Sequence, residues 1–239
     1  MEYLKDGARK LGVKLNSAQL KQFQMYYLEL VSWNQRVNLT TITDFKEVQI
    51  KHFLDSLSVT IALNHQINDT KIRLVDIGTG AGLPGLPIKI AFPALKLILI
   101  EATAKKAAFL DHLKAKLGLN DVEIVVGRAE EIAHEIRYRK QFNIVLSRAV
   151  APLPTLVELA LPFCTMNGSF IAQKKGAIDQ EIRQADKAIN LLGGNLREIK
   201  RVNLNEFLDE RYLIIIDKTS PTPEQYPRRS GIPAKRPLI

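Results

Sequence analysis

The sequence predicts an α/β fold: a seven-stranded, mostly parallel sheet with a C-terminal antiparallel hairpin, preceded by N-terminal helices. From residue 71 onward, short apolar runs alternate with helical stretches, which is typical of a parallel sheet covered by helices. A glycine-rich turn links the first apolar run to the first of these helices, where such folds bind ligands. The last two β-rich runs leave no room for a helix between them, so we expect an antiparallel hairpin.

Residues 1–68 are predicted to form a helical extension. Ser17 is a suitable N-cap, and apolar side chains from Leu20 to Val31 recur behind it at helical spacing. A second helix is predicted over residues 44–63. The polar segment 33–40 lies between these two helices and carries the only tryptophan, Trp33. We expect this segment to be either a packed corner or a functional surface.

Residues 69–217 are predicted to form the sheet domain. Its strands are expected at residues 72–77, 95–100, 122–126, 142–146, 169–173, 195–203 and 210–217. Helices are expected to begin between the parallel strands and before the hairpin, near residues 84, 104, 130, 153 and 178.

Residues 218–239 form the third predicted part, a basic, proline-rich C-terminal tail. It holds 5 of the 11 prolines and a local net charge of +4. Proline excludes a helix or a central strand here, because it lacks the backbone N–H that both require. Composition favours a solvated tail over a segment that grips phosphates.

Composition and charge narrow the class of protein. The 239 residues suffice for one large domain with an appendage, and 46% hydrophobic with 25% charged residues excludes a disordered chain. A net charge of +9 favours a polyanionic partner such as nucleic acid. A lone cysteine, Cys164, cannot form an intramolecular disulfide. The sequence shows neither a signal peptide nor an apolar run of about 18 residues, so we expect a cytoplasmic protein.

The strongest signal is the glycine-rich turn within residues 74–85. Gly78, Gly80 and Gly82 allow positive φ angles and let a ligand approach the main chain closely. Gly80, Gly82 and Gly85 also satisfy G-x-G-x-x-G, the dinucleotide fingerprint, with Glu101 about 20 residues further on. The turn therefore predicts a nucleotide-like ligand and leaves two cofactor classes open.

The carboxylate of Asp76, two residues before Gly78, separates these two classes. It would repel the pyrophosphate of a dinucleotide, whereas it would attract the ammonium and sulfonium charges of S-adenosylmethionine. The sequence thus favours S-adenosylmethionine, with a nicotinamide-dependent oxidoreductase as the alternative.

The spacing Asp-x-Gly-x-Gly-x-Gly resembles the first motif of the Rossmann-like S-adenosylmethionine-dependent methyltransferases, and the terminal hairpin is similar to theirs. The resemblance implies that Glu101, at the end of the second strand, holds the ribose hydroxyls. It implies that the Ala129 amide and Glu130, after the third strand, meet the adenine. The alternatives are a helix-capping role for Glu101 and a helix-starting role for Glu130.

Residues 146–152 follow the fourth strand, where this class of enzyme receives its substrate. Ser147-Arg148-Ala149 departs from the pattern of enzymes that methylate exocyclic amines, which carry Asn or Asp, then Pro-Pro and an aromatic residue. Cys164 falls in or after a predicted helix and is expected to be a buried apolar residue, so a pyrimidine C5 mechanism is not predicted. The acceptor should therefore be intrinsically nucleophilic.

Further stretches, at residues 33–39, 52–56, 78–85, 147–149 and 226–233, resemble the bacterial small-subunit ribosomal RNA methyltransferase G family, also called glucose-inhibited division protein B. The resemblance covers nearly the whole chain. It implies transfer of a methyl group to N7 of guanine 527 in 16S ribosomal RNA, as naked RNA or within the small ribosomal subunit. It also implies cofactor contacts at Gly78, Leu83, Ala129, Glu130 and Arg148.

Guanine N7 has an in-plane lone pair and no proton to lose, so alignment is expected to dominate catalysis. We predict no general base. Arg148 is assigned a positioning role, at the cofactor or at O6 and phosphate of the target guanine, and a structural ion pair is the alternative. The predicted cofactor-binding residues are Asp76, Gly78, Gly80, Gly82, Leu83, Glu101, Ala129, Glu130 and Arg148.

Basic side chains near the strand ends and in the tail are predicted to contact RNA phosphates, namely Arg36, Arg128, Lys174, Lys175, Arg228, Arg229, Lys235 and Arg236. His52 and Asp55, three residues apart on a predicted helix, are interpreted as a structural pair rather than as site residues. Four scattered histidines predict no metal site. We expect a monomer.

Two other functions stay open at this point. One is a methyltransferase that acts on a small molecule or a protein, which the net charge and the basic tail disfavour. The other is a non-catalytic RNA-binding assembly factor, which the joint presence of Asp76, the three glycines and Glu101 disfavours.

Overall fold

The computed structural model describes residues 1–63 and 72–239. Seven strands form one sheet: β1 (Arg73–Ile77), β2 (Lys96–Glu101), β3 (Val122–Val126), β4 (Phe142–Arg148), β5 (Cys164–Lys175), β6 (Gly194–Arg201) and β7 (Arg211–Lys218). Their order is β3-β2-β1-β4-β5-β7-β6, with the first five parallel and β7 antiparallel to both of its neighbours. The predicted fold class is confirmed.

Helices cover both faces of the sheet. They are α1 (Glu2–Lys10), α2 (Ser17–Val37), α3 (Phe45–Val48), α4 (Asp55–Leu57), α5 (Thr60–Leu63), α6 (Gly85–Ala91), α7 (Ala104–Leu117), α8 (Ala129–Ile132), α9 (Leu153–Ala160), α10 (Asp179–Leu191) and α11 (Ile232–Lys235). One apolar cluster joins Phe23, Leu86 and Phe109 to one face of the sheet, and a second joins Leu156 and Ile189 to the other. Parallel strands require this cover, because both of their faces are apolar. Among residues 1–63 and 72–239, none of the helices combines the length and the apolar composition of a membrane-spanning segment.

The start of α2 lies one residue away from what the predicted cap implies. Asn16, rather than Ser17, is the N-cap: its side chain accepts a hydrogen bond from the Gln19 backbone N–H at 2.9 Å. The Gln19 side chain accepts one from the Asn16 N–H at 2.9 Å, which completes a capping box.

The single helix predicted over residues 44–63 is wrong. A π-helical turn (Gln49–Leu54) separates α3 from α4, and a non-helical turn at residues 58 and 59 precedes α5. Two hydroxyls bond to carbonyls of this segment: Ser56 Oγ donates to the His52 oxygen and Ser58 Oγ to the Asp55 oxygen, both at 2.6 Å. Such side-chain bonds compete with regular helix geometry, and π turns recur at functional sites.

The start of one strand and the structure of the tail also differ from expectation. Strand β5 begins at Cys164, five residues before the predicted start, and a register shift follows within it, between its pairs with Phe142 and Ile144. The tail contains one helical turn, α11, although proline was expected to exclude a helix; Pro233 is its second residue, where no backbone N–H is required. The predicted domain boundary between residues 68 and 69 lies outside the described residues, and the three-part division stays a prediction.

Candidate active site

The glycine-rich turn after β1 adopts the backbone geometry that its sequence predicts. Gly78, Gly80 and Gly82 have φ angles of +66°, +59° and +89°. A Cβ on Gly78 would lie 2.7 Å from the Val150 side chain, and one on Gly82 would lie 2.4 Å from Leu86. At Gly80 the nearest atom to such a Cβ is 4.0 Å away. Gly82 therefore serves packing, whereas the main chain at Gly80 is open to a ligand.

Asp76 is fully buried at the end of β1. Its Oδ2 atom accepts hydrogen bonds from Thr79 Oγ1 at 2.6 Å and from the Gly85 N–H at 2.9 Å. Its Oδ1 atom is buried and has no hydrogen-bond partner among the described residues. Burial raises the pKa of Asp76 to about 7. A cation that reached Oδ1 would satisfy this atom and favour the ionised carboxylate.

Glu101 links the glycine-rich turn to the end of β2. One carboxylate oxygen accepts from the Gly80 N–H at 2.9 Å, and the other accepts from the Thr103 N–H at 2.8 Å. Each oxygen can accept a second hydrogen bond, so Glu101 remains able to bind a hydroxyl.

A first cavity, of about 210 Å³, lies at the carboxyl ends of β1, β2 and β3. Four of the predicted cofactor residues line it, namely Gly78, Glu101, Ala129 and Glu130. Its other walls include Val150, which belongs to the segment 146–152 predicted to receive the substrate, and Thr155 and Ala234, which the sequence did not indicate. The remaining predicted residues lie outside this lining, namely Asp76, Gly80, Gly82, Leu83 and Arg148. Leu83 is buried in the apolar cluster on one face of the sheet.

A second cavity, of about 520 Å³, lies at the carboxyl ends of β4 and β5. Most of its lining residues are polar or charged types, and the full lining consists of Ile42, Lys51, His52, Asp55, Arg148, Ala149, Gln173, Lys174, Lys175, Glu181, Asp209 and Arg211. The loop after β4 separates the two cavities: Arg148 and Ala149 line the second, whereas Val150 and Ala151 line the first. This is the place in an open α/β sheet where strand order reverses and ligands bind.

Asp55 connects two arginines in the second cavity. Arg148 Nη1 donates to Asp55 Oδ2 at 2.7 Å and to the Lys51 carbonyl at 3.2 Å. Arg211 Nε donates to Asp55 Oδ1 at 3.2 Å. Arg148 therefore does form the structural ion pair that was the alternative to a positioning role, and it does so through Nη1 alone. Within the described residues, Nε and Nη2 of Arg148 make no hydrogen bond, so they remain available to a ligand.

His52 and Asp55 do not pair with each other, contrary to their interpretation as a structural pair. His52 Nε2 lies 2.7 Å from Thr40 Oγ1, and both His52 and Asp55 line the second cavity. Burial and the nearby Arg148 charge lower the pKa of His52 to about 4. The imidazole is therefore neutral at neutral pH.

Gln173 and Arg211 are site residues that the sequence did not reveal. Gln173 Nε2 donates to the Asp55 carbonyl at 2.7 Å, and its Oε1 atom is buried without a hydrogen-bond partner among the described residues. Arg211 begins β7, whose antiparallel direction places its first residue opposite Lys175, at the carboxyl edge of β5. The antiparallel hairpin predicted from the sequence already implied that Arg211, near the start of its second strand, would lie at this edge. For Gln173 the signal was its place as the last residue of the strand predicted over 169–173, at the edge of the sheet where ligands bind.

The predicted RNA-binding side chains fall into two groups. Arg36 stacks over Trp33 at 4.3 Å, Lys174 donates to Glu181 at 2.6 Å, and Arg228 pairs with Glu158 at 2.6 Å. Arg128 also pairs, with Glu130 at 3.5 Å, and both Arg36 and Arg128 are exposed despite their contacts. The second group, namely Lys175, Arg229, Lys235 and Arg236, is exposed and presents its charge to solvent.

The strand order is that of the Rossmann-like methyltransferase fold, and the two cavities adjoin at the carboxyl edge of its sheet. The chain resembles the crystal structure of a mutant 16S rRNA (adenine(1408)-N(1))-methyltransferase from Catenulisporales acidiphilia, with a TM-score of 0.52 and 13% identity over 64% of this chain and 87% of that one. It also resembles the [4+2]-cyclase SpnF, with a TM-score of 0.54 and 13% identity over 70% of this chain and 81% of that one. At these identities the likeness concerns the fold alone.

Sequence comparison then identifies the family. The profile of the rRNA small subunit methyltransferase G family matches residues 19–212. Proteins named ribosomal RNA small subunit methyltransferase G are 51% identical in Dehalococcoides mccartyi strain CBDB1, over the whole of both chains, and 47% identical in Roseiflexus castenholzii, over 97% of each. This chain belongs to that family.

Proposed function

We propose that this protein transfers a methyl group from S-adenosylmethionine to N7 of guanine 527 in 16S ribosomal RNA, in the bacterial cytoplasm. The observation that carries the proposal is the pair of cavities separated by the single loop 148–151. Methyl transfer requires the donor and the acceptor to be in contact, and two cavities separated by so short a loop can hold them side by side. Family membership supports ribosomal RNA as the acceptor.

The first cavity suits the cofactor by its donor set. Glu101 lines the cavity and offers carboxylate oxygens beside the open main chain of Gly80. Asp76 does not line the cavity, but its buried, unpartnered Oδ1 atom lies behind the same turn and would suit the ammonium group through a water molecule or after a local shift of the turn. When bound, S-adenosylmethionine supplies an electrophilic methyl group on a cationic sulfur atom. Glu101 would hold the ribose hydroxyls, and Ala129 and Glu130 would border the adenine.

The second cavity suits a guanine whose N7 atom attacks without losing a proton. The carboxylates that line it are already bonded: Asp55 to two arginines, Glu181 to Lys174 and to the Leu153 N–H, and Asp209 to Arg211. These carboxylates hold the basic side chains of the cavity in place, and attack by N7 requires no general base because N7 has no proton to lose. We assign Arg148 Nε or Nη2 to O6 or a phosphate of the target nucleotide. Alignment by these residues would supply the catalysis.

The test uses small ribosomal subunits from a strain that lacks this protein. Incubation with the purified protein and S-adenosylmethionine should create one new site of borohydride- and aniline-dependent cleavage, at guanine 527. Arg148→Ala should lower the initial rate strongly, whereas Arg9→Ala, which removes an exposed Arg9–Asp6 contact at 3.9 Å, should leave it unchanged. If borohydride and aniline also cleave RNA of the deletion strain at this nucleotide when the protein has not been added, the proposal is overturned.

The effect of salt on activity distinguishes the proposed RNA methyltransferase from a methyltransferase that acts on a small metabolite. Each phosphate contact releases counterions, so RNA binding should weaken steeply as ionic strength rises. Turnover of an uncharged small molecule should respond little.

A further inference from the structure

The chain after β7 packs against the first cavity, although it lies outside the part that the family profile matches, which ends at residue 212. Ala234 lines this cavity together with Glu130 and Thr155. The tail is therefore part of the cavity wall. The sequence, by contrast, favoured a solvated tail.

Several hydrogen bonds hold the tail at the cavity, among them Ser230 Oγ to Glu131 Oε1 at 2.8 Å. The Gly231 N–H donates to Glu130 Oε1 at 2.9 Å, and Thr155 Oγ1 donates to the Pro233 carbonyl at 3.1 Å. His134 Nε2 lies 2.8 Å from the Pro227 carbonyl. Glu130 and Thr155 thus contact the tail and line the cavity at once.

The strongest tether is the ion pair of Arg228 with Glu158. Glu158 Oε1 accepts from the Arg228 N–H at 2.8 Å and from Nε at 2.9 Å, and Oε2 accepts from Nη2 at 2.6 Å. Glu158 lies on α9 and is completely buried. A carboxylate buried in this way is stable only when it is paired and hydrogen-bonded. Glu158 therefore depends on the docked tail, and the tail is fixed to α9.

We propose that residues 226–235, here called the strap, form a wall of the cofactor site, and that Arg228 is the positioning residue that holds the strap in place. This inference rests on the proposed function, since it assigns the first cavity to S-adenosylmethionine. It gives Arg228 a role at the cofactor rather than at RNA. Arg228 acts through Gly231 and Ala234 and touches no reacting atom.

The experiment measures the dissociation constant of S-adenosylmethionine by calorimetry for the full-length protein and its variants. Arg228→Ala should weaken binding about tenfold or more, and raise KM for S-adenosylmethionine while leaving KM for the ribosomal subunit unchanged. The matched control is Arg197→Ala, which removes an Arg197–Asp217 pair of 2.9 Å on the edge strand β6 and should leave binding unchanged.

Two further variants separate the strap from general stability. Glu158→Leu combined with Arg228→Ala removes the buried charge and its partner together, so the protein should fold and still bind S-adenosylmethionine about tenfold more weakly. Ala234→Trp enlarges an exposed side chain at the cavity and should weaken binding without lowering the melting temperature.

The outcomes distinguish the two proposals. If the unmodified protein does not bind S-adenosylmethionine, the proposed function fails. The strap proposal alone is overturned if the unmodified protein binds S-adenosylmethionine and two variants bind it equally well. These are the double variant Glu158→Leu with Arg228→Ala and the single variant Ala234→Trp. Protection of residues 226–235 from hydrogen exchange by S-adenosylmethionine would support the strap independently.

Discussion

Replacing Asp55 by alanine tests the ion-pair network of the second cavity. The Asp55 side chain is 10% exposed and lies between Arg148 and Arg211, whose side chains are 14% and 12% exposed. The substitution would leave two largely buried guanidinium groups without their shared carboxylate. Removing one partner of a buried pair costs about 3–5 kcal/mol, and we expect about 3 kcal/mol here because the cavity admits water.

The assay is urea and thermal unfolding of the purified protein, followed by the methylation assay below the transition. For a chain of this length, a loss of about 3 kcal/mol lowers the melting temperature by roughly 6–12 °C. Methylation should also fall, because Arg148 loses the contact that orients it. Asp55→Asn should be intermediate in stability, since the amide oxygen still accepts hydrogen bonds but carries no charge.

The matched control is Asp6→Ala, which breaks a contact of 3.9 Å between side chains that are 55% and 77% exposed. Such a pair contributes less than about 1 kcal/mol. A loss below about 1 kcal/mol for Asp55→Ala as well would refute the reasoning, because it would mean that the cavity screens this network like open solvent.

Three further predictions concern the two cavities. The pKa of Asp76 is raised to about 7, so S-adenosylmethionine affinity measured by calorimetry should fall as pH drops below about 7, and Asp76→Asn should abolish this dependence; a persistent dependence would contradict the assignment. The pKa of His52 is lowered from 6.5 to about 4, so stability should be lost as pH falls through that interval, by about 3 kcal/mol, and His52→Gln should remove this loss in acid-unfolding curves. Gly78→Ala and Gly118→Ala should each lower the free energy of unfolding by about 1 kcal/mol or more, because both glycines have positive φ angles. Only Gly78→Ala should impair cofactor binding, since its Cβ would lie 2.7 Å from Val150 whereas a Cβ on Gly118 would meet open space. Equal effects of the two substitutions on binding would count against the role of Gly78.

Much of the fold follows from local patterns in the sequence. The parallel strands could be predicted because buried strands form short apolar runs, and the predicted starts of β1 and β3 lie within one residue of those observed. The turn at Gly78 and Gly80 could be predicted because positive φ angles leave a direct mark in residue choice. The segment 44–63 could not be predicted in the same way, since its break depends on where Ser56 and Ser58 direct their hydroxyls.

The sequence by itself determined the class of fold and the glycine-rich turn, because these depend on periodicity and on neighbours a few positions apart. Several of the candidate cofactor residues, among them Leu83, Ala129 and Arg148, rest on the family resemblance, and the cofactor assignments stay predictions. Only the tertiary structure decided that Asp55 joins Arg148 and Arg211, 93 and 156 residues away, and that Arg228 reaches Glu158, 70 residues away. Many basic residues in this chain could have paired with these carboxylates. Which one does so depends on how the elements pack, and the cost of burying an unpaired charge then fixes the choice.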